Sequence, residues 1–145
     1  MPSKTKQDKR AILLVEADVL IRLALSEHLR GCGFTVLEAA AAEEARAILL
    51  AGPAIDILFS DAELGAGESG FALAQWVRRH RPNVRVTLAA TIAHKIEAAA
   101  SLCTHSPRHD AATLEARLRA MLAERARRSR RPASSASPSR KRKLS

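Results

Sequence analysis

Residues 55–61 read Ile55-Asp56-Ile57-Leu58-Phe59-Ser60-Asp61, and the fold of the chain turns on this run. Its apolar, strand-forming residues deliver one carboxylate, Asp61, to their C-terminal end. A loop rich in small residues follows, Ala62-Glu63-Leu64-Gly65-Ala66-Gly67-Glu68-Ser69-Gly70. Parallel α/β folds place their ligands beyond the carboxyl ends of the strands. A second acid, Glu16, ends an earlier apolar run, Ala11-Ile12-Leu13-Leu14-Val15. Two carboxylates converging from two strand ends suit a hard cation and a phosphoryl group.

Outward from these two runs the chain alternates between short apolar stretches and amphipathic ones. Asp18 is placed to cap a helix in which Ile21, Leu25 and Leu29 recur every four residues. Gly31 and Gly33 end it, and Phe34 to Leu37 reads as a short strand. Ala41 to Leu50 is rich in Ala and Glu, hence a helix, and Gly52-Pro53 stops it. Ile55–Ser60 is the third strand, Phe71 to His80 a helix, and Val84 to Ala89 a fourth strand. Ile92 to Leu102 reads as helical. Leu114, Leu118, Met121 and Leu122 mark a last amphipathic helix ending near Arg127. Such alternation implies βαβ units and a parallel sheet covered on both faces. The uniformly apolar strands agree, because parallel strands are buried on both sides. A fifth strand is due between Leu102 and Asp110, but Cys103-Thr104-His105-Ser106-Pro107-Arg108-His109 is poor strand material.

The formal net charge of +9 is unevenly spread. Residues 1–10 carry four bases and one acid, and residues 125–145 carry nine bases and no acid. The middle, residues 11–124, has 11 bases and 14 acids, a balance of −3. A mildly acidic globule thus wears two basic tails. The expected organisation is a basic tail over 1–10, one domain over 11–127 and a disordered basic tail over 128–145, since the last segment has almost nothing to bury. Its Arg-Lys-Arg-Lys at 140–143 could attract phosphate backbones nonspecifically, but no aromatic residue interleaves it for base stacking. A merely solubilising extension is the plainer reading.

Apolar residues at 47% suffice for a core, and no apolar run reaches the roughly 18 residues of a membrane span. No apolar segment follows the charged N-terminus as a secretion signal would require, so a cytoplasmic setting is expected. Cys32 and Cys103 show no paired-cysteine motif, and free thiols in a reducing compartment are expected. The five histidines, His28, His80, His94, His105 and His109, show no metal-binding spacing and are expected at the solvated surface. Trp76 is expected to pack or to sit at the surface. No P-loop, dinucleotide-binding glycine pattern or nucleophile elbow appears, so the chain is not read as an enzyme.

Several of these pieces, in this order, resemble a known family. Ile12-Leu13-Leu14-Val15-Glu16-Ala17-Asp18, followed by Ile21-Arg22 and Gly33-Phe34-Thr35-Val36-Leu37-Glu38-Ala39, resembles the opening of a response-regulator receiver domain. Asp56-Ile57-Leu58-Phe59-Ser60-Asp61 resembles its third strand, Gly70 to Arg78 its third helix, and Arg81-Pro82-Asn83-Val84 the approach to its fourth strand. The likeness spans about residues 11–124 and is nearest to stand-alone bacterial receivers. It implies a flavodoxin-like doubly wound parallel sheet of order 2-1-3-4-5, here with strand 5 short or missing. It also implies a two-component phosphorelay, with a histidine kinase as partner and output through protein contact.

Carried over residue by residue, the resemblance makes Asp61 the phosphoacceptor. Glu16, Asp61 and the backbone carbonyl of Glu63 would be the ligands of a Mg²⁺ ion. The departures are as informative. The second acidic position is Ala17, which weakens any Mg²⁺ site. The switch hydroxyl position falls on Ala90, with Thr91 one residue along, and the usual loop proline is Gly65. The lysine-proline pair that would end strand five has no counterpart, leaving Arg108 as the nearest positive charge in that segment. A phosphoryl group on Asp61 would then lack most of its usual partners. The expectation is therefore a degenerate receiver, weakly phosphorylated or acting without phosphorylation. The bland alternatives stay open: Asp61 as an ordinary loop acid, Glu16 as a solvated strand-end acid, Asp18 as a helix cap. A nucleic-acid-associated accessory protein, led by the basic C-terminal tail, is the competing function.

Overall fold

Among the described residues four five-residue strands form one central sheet: β1 (Ala11–Val15), β2 (Thr35–Ala39), β3 (Ile57–Asp61) and β4 (Arg85–Ala89). The structure, a computed structural model, describes residues 10–104 and 110–130. Among the described residues five helices accompany them: α1 (Val19–Gly31), α2 (Ala42–Ala51), α3 (Gly70–His80), α4 (Ile92–Leu102) and α5 (Ala111–Ser129). All strand pairs are parallel, in the order β2-β1-β3-β4. This is the flavodoxin-like order expected from the alternation, and no fifth strand occurs among the described residues. Arg108 and most of the segment in which that strand was due lie outside them. The last helix continues to Ser129, two residues past the expected domain end.

Strand ends shifted for local reasons. Asp56, expected inside the third strand, instead turns its carboxylate to the backbone N–H of Ala11 at 2.8 Å, and β3 begins at Ile57, two residues later than expected. The α2 helix ends in Gly52 at φ 108°, the left-handed conformation that a residue with a Cβ adopts only at a cost.

Right-handed crossovers decide which face each helix covers. The chain leads from β1 outward to β2, then back across β1 to β3 and on to β4. So α1 lies on one face, and α2 and α3 on the other. The core divides accordingly. Leu13, Val15 and Leu58 pack with Ala45, Leu49, Leu73 and Val77 of α2 and α3. Ile12, Leu14 and Phe59 pack with Leu25 and Leu29 of α1. No described strand follows β4, and α4 packs on the α1 face, where Ile96 and Ala99 join Leu114 and Leu118 of α5. That placement of α4 makes the site described below.

The same placement overturns the expectation of two free thiols. Cys32, after α1, and Cys103, after α4, are joined in a disulfide with a Cα–Cα distance of 5.5 Å. The crosslink spans a sequence separation of 71. Closing a loop of that length restricts the unfolded chain by about 4 kcal/mol in the chain-entropy treatment. Reduction by a dithiol is therefore expected to lower unfolding stability by about that amount in metal-free buffer. Urea denaturation with and without reductant measures it, and coincident curves would refute it.

Candidate phosphoacceptor pocket

The pocket is built at the carboxyl ends of β1 and β3. Pairing of Val15 with Ser60 sets the two strand ends level, so Glu16 and Asp61 emerge side by side. Glu16 is 3% exposed and held at both ends. Its backbone N–H donates to the Ala39 carbonyl at 3.0 Å, and its Oε2 accepts from the Asp18 N–H at 3.1 Å. Asp61 is fixed by the loop it begins, its Oδ1 accepting from the Glu63 N–H at 3.0 Å. Glu63 thus enters the pocket through its amide hydrogen, and its side chain is exposed.

Between the two acids lies a cation the sequence reasoning missed. Lys95 of α4 places its Nζ 2.8 Å from Glu16 Oε1 and 3.0 Å from Asp61 Oδ2. The lysine is 4% exposed, so three charged groups are nearly desolvated together. Burial alone would lower the Lys95 pKa. Hydrogen bonding and attraction from Glu16 and Asp61 outweigh that and raise it above the ordinary 10.5. The expectation of an uncompensated Asp61 is therefore corrected: its counter-charge comes from the fourth helix. A usable signal existed, because Lys95 sits on the helix stripe of Ile92, Ile96 and Ala99, where a cation needs an acidic partner.

Around this triad the departures find their local roles. Ala17 contributes no oxygen. Thr91, beside the expected hydroxyl position, caps α4, its Oγ1 accepting from the His94 N–H at 3.1 Å. Asp18 is a helix cap as expected, with Oδ1 accepting from Leu20 and Ile21 N–H at 2.9 and 3.1 Å. Arg125 of α5 lies 3.0 Å from its other oxygen. Partial burial would raise the Asp18 pKa, but the bonds from Arg125 and from the helix N–H groups prevail and lower it. Its stabilising contribution is thus present above the unfolded carboxylate value and lost as pH falls through the lower folded value. Asp18→Ala is expected to cost about 1 kcal/mol at neutral pH. The cost should vanish in acid, as paired urea titrations at the two pH values would reveal.

The carboxylates of Glu16 and Asp61, which the resemblance assigns to a magnesium ion, share the Lys95 ammonium, and Ala17 adds no oxygen beside them. What the arrangement does hold is a carboxylate, Asp61, whose Oδ2 is hydrogen-bonded to a buried cation.

Solved structures agree with this architecture. The receiver domain of HemR from Leptospira biflexa matches at 30% identity with a TM-score of 0.50, over 59% of this chain and 67% of that one. A response regulator receiver protein from Pseudomonas putida matches at 26% identity and a TM-score of 0.53, over 57% and 68%. A structure of histidine kinase ThkA in complex with response regulator TrrA matches at 28% identity and a TM-score of 0.52, over 57% and 69%. The chain therefore belongs to the response-regulator receiver family. It spans about two thirds of the length of these three chains. No family model and no curated protein matches it. None of the described helices is long and apolar enough to cross a membrane.

Proposed function

We propose that the chain is a two-component signalling protein in which Asp61 accepts a phosphoryl group and Lys95 supplies its counter-charge. The observation that carries this reading is the buried Glu16–Lys95–Asp61 triad at the ends of β1 and β3. A phosphohistidine of a kinase is the donor. Its N–P bond breaks as a bond forms between phosphorus and an Asp61 carboxylate oxygen, giving an acyl phosphate. The added group brings a charge of about −2 to the pocket. A preorganised ammonium offsets such charge with little reorganisation. No turnover of a substrate by the chain itself is part of this reading.

A kinase is the partner by analogy with the ThkA–TrrA complex. Val19 and Leu23 of α1, 57% and 41% exposed, offer it apolar contact near the pocket. The output is contact with a further protein. Lys95 ties α4 to Asp61, so a phosphoryl group on Asp61 pulls on α4. That helix lines an apolar groove of about 450 Å³ with α5, between Ile92 and Ile96 on one side and Leu118 and Leu122 on the other. Phosphorylation would be read as a change in that groove.

The test is incubation of the full chain with a small acyl-phosphate donor, with and without Mg²⁺, followed by intact-mass measurement. One added phosphoryl group per chain is expected, absent in Asp61→Asn and present without the metal. A mass gain retained by Asp61→Asn, or none at all, would remove Asp61 from the acceptor role. The nine bases and no acids of residues 125–145 support a second reading as a nucleic-acid-associated protein. It predicts DNA binding that falls steeply with salt and is lost on deletion of residues 131–145.

A further inference from the structure

We propose that the chain binds one zinc ion through His28, Cys32 and Cys103 once its disulfide has been reduced. This site is separate from the acidic pocket and independent of what Asp61 does. Asp18 caps the N-terminal end of α1, whereas His28 and Cys32 lie at its C-terminal end, roughly 20 Å along a helix of 13 residues. His28 and Cys32 are four positions apart, which brings both to one side of the helix end. Cys103 arrives from the end of α4 because α4 lies on the α1 face. The ligand atoms of the three residues all lie within 4.8 Å of one another. His28 is 4% exposed and Cys103 is 8% exposed, so the cluster is an interior one and not a chance gathering at the surface.

The donor set selects the metal. Two thiolates and an imidazole are soft or borderline ligands, suited to zinc and poorly suited to magnesium or calcium. Zinc–sulfur bonds of ~2.3 Å in tetrahedral geometry separate two sulfurs by ~3.8 Å. Side-chain rotation from a Cα–Cα distance of 5.5 Å reaches that separation. The fourth ligand is a water, admitted at the half-buried Cys32.

The chemistry balances as follows. A dithiol reductant passes two electrons to the Cys32–Cys103 bond and becomes a disulfide itself. The protein's two sulfurs leave as thiols. Each loses its proton as Zn²⁺ binds, and His28 binds as the neutral imidazole. A small-molecule disulfide reverses the exchange: it takes up the two electrons and is reduced to two thiols, the Cys32–Cys103 bond returns and zinc is expelled. Disulfide and zinc are thus alternative clips at one place. Both join the ends of α1 and α4, and α4 is the helix that carries Lys95.

The experiment uses the full chain, reduced by a phosphine in metal-free buffer and then titrated with Zn²⁺ against a chromophoric chelator. One zinc per reduced chain is expected, and none in the oxidised chain. Co²⁺ in place of zinc should give a thiolate-to-metal charge-transfer band, which carboxylate ligands cannot produce. Bound zinc should also slow alkylation of both cysteines, as read by mass spectrometry on the unmodified sequence. His28→Gln and Cys103→Ser should weaken binding by more than the roughly 10–100-fold that loss of an outer-shell partner costs. Zinc uptake that is equal in the oxidised and reduced chain would overturn the proposal. So would alkylation rates indifferent to zinc, which need no variant to be measured.

Discussion

Replacing Lys95 with methionine is expected to destabilise the fold by about 3–5 kcal/mol at neutral pH, the range for removing one partner of a buried ion pair. Methionine keeps the unbranched stem but not the charge. Glu16 and Asp61 would then face each other without the ammonium now 2.8 and 3.0 Å from them. Acid should relieve the defect, because protons take over the neutralising role. In the parent protein the pH dependence runs the other way. The Lys95 pKa is raised, as the pull of the two carboxylates exceeds the opposing effect of burial. Its contribution is therefore complete below the unfolded lysine value of about 10.4 and is lost as pH rises through the higher folded value. Urea unfolding of both proteins across pH would show opposite trends at the two extremes. A Lys95→Met protein as stable as its parent at pH 7 would mean the triad is not formed in solution. The variant should also bind Mg²⁺ more tightly than the parent, since the two carboxylates would have lost their resident cation. Calorimetric titration measures that change, and equal affinities would count against competition for one place.

Lys95 also marks the boundary of what the sequence disclosed. The sheet order was legible because each apolar run was followed by an amphipathic one, and right-handed crossovers leave few ways to arrange that. Asp61 and Glu16 were legible as strand-end acids for the same reason. The cation that meets them showed only as a lysine on an apolar helix stripe, which calls for an acidic partner without saying which one. The resemblance puts a lysine at the end of a fifth strand, and no fifth strand occurs among the described residues. Nothing in Ile92–Leu102 says on which face of the sheet that helix packs. Only that choice brings Lys95 over the ends of β1 and β3. The cysteines read as free thiols for the same cause. A separation of 71 residues carries no signal of pairing until α4 is known to lie against α1. His28, expected in solvent, is buried at that same junction. Local rules found the elements, and the long-range placement of one helix decided the chemistry at both of its ends.

The second large effect is expected at a residue with no side chain. Gly70 begins α3 directly beneath the loop that follows Asp61, and its N–H donates to the Ala62 carbonyl at 3.0 Å. A Cβ built on Gly70 would lie 1.9 Å from the Asp61 carbonyl oxygen and 2.9 Å from Ala62 Cα. Both atoms are backbone, so no side chain can swing aside. Gly70→Ala must push either the start of α3 or the Asp61–Ala62 peptide out of place. The α3 side is anchored by Ser69, which caps the helix through Ala72 N–H at 3.1 Å, and by Leu73 and Val77 in the core. The loop side is anchored by the Glu63 N–H on Asp61 Oδ1 and by Ala62 N–H on the Ala89 carbonyl at 3.2 Å. Neither side moves without breaking such contacts. The loss should reach or exceed the ~1–3 kcal/mol typical of an overfilled core. It should also differ in kind from the loss in Lys95→Met. The defect is steric, so acid should not relieve it, and displacement of Asp61 from Lys95 should slow phosphoryl transfer as well. Urea unfolding at neutral and acid pH, paired with the rate of mass gain from an acyl-phosphate donor, would separate the two variants. A stable Gly70→Ala protein that is phosphorylated at the parent rate would show that the loop after Asp61 is not held against α3 as described.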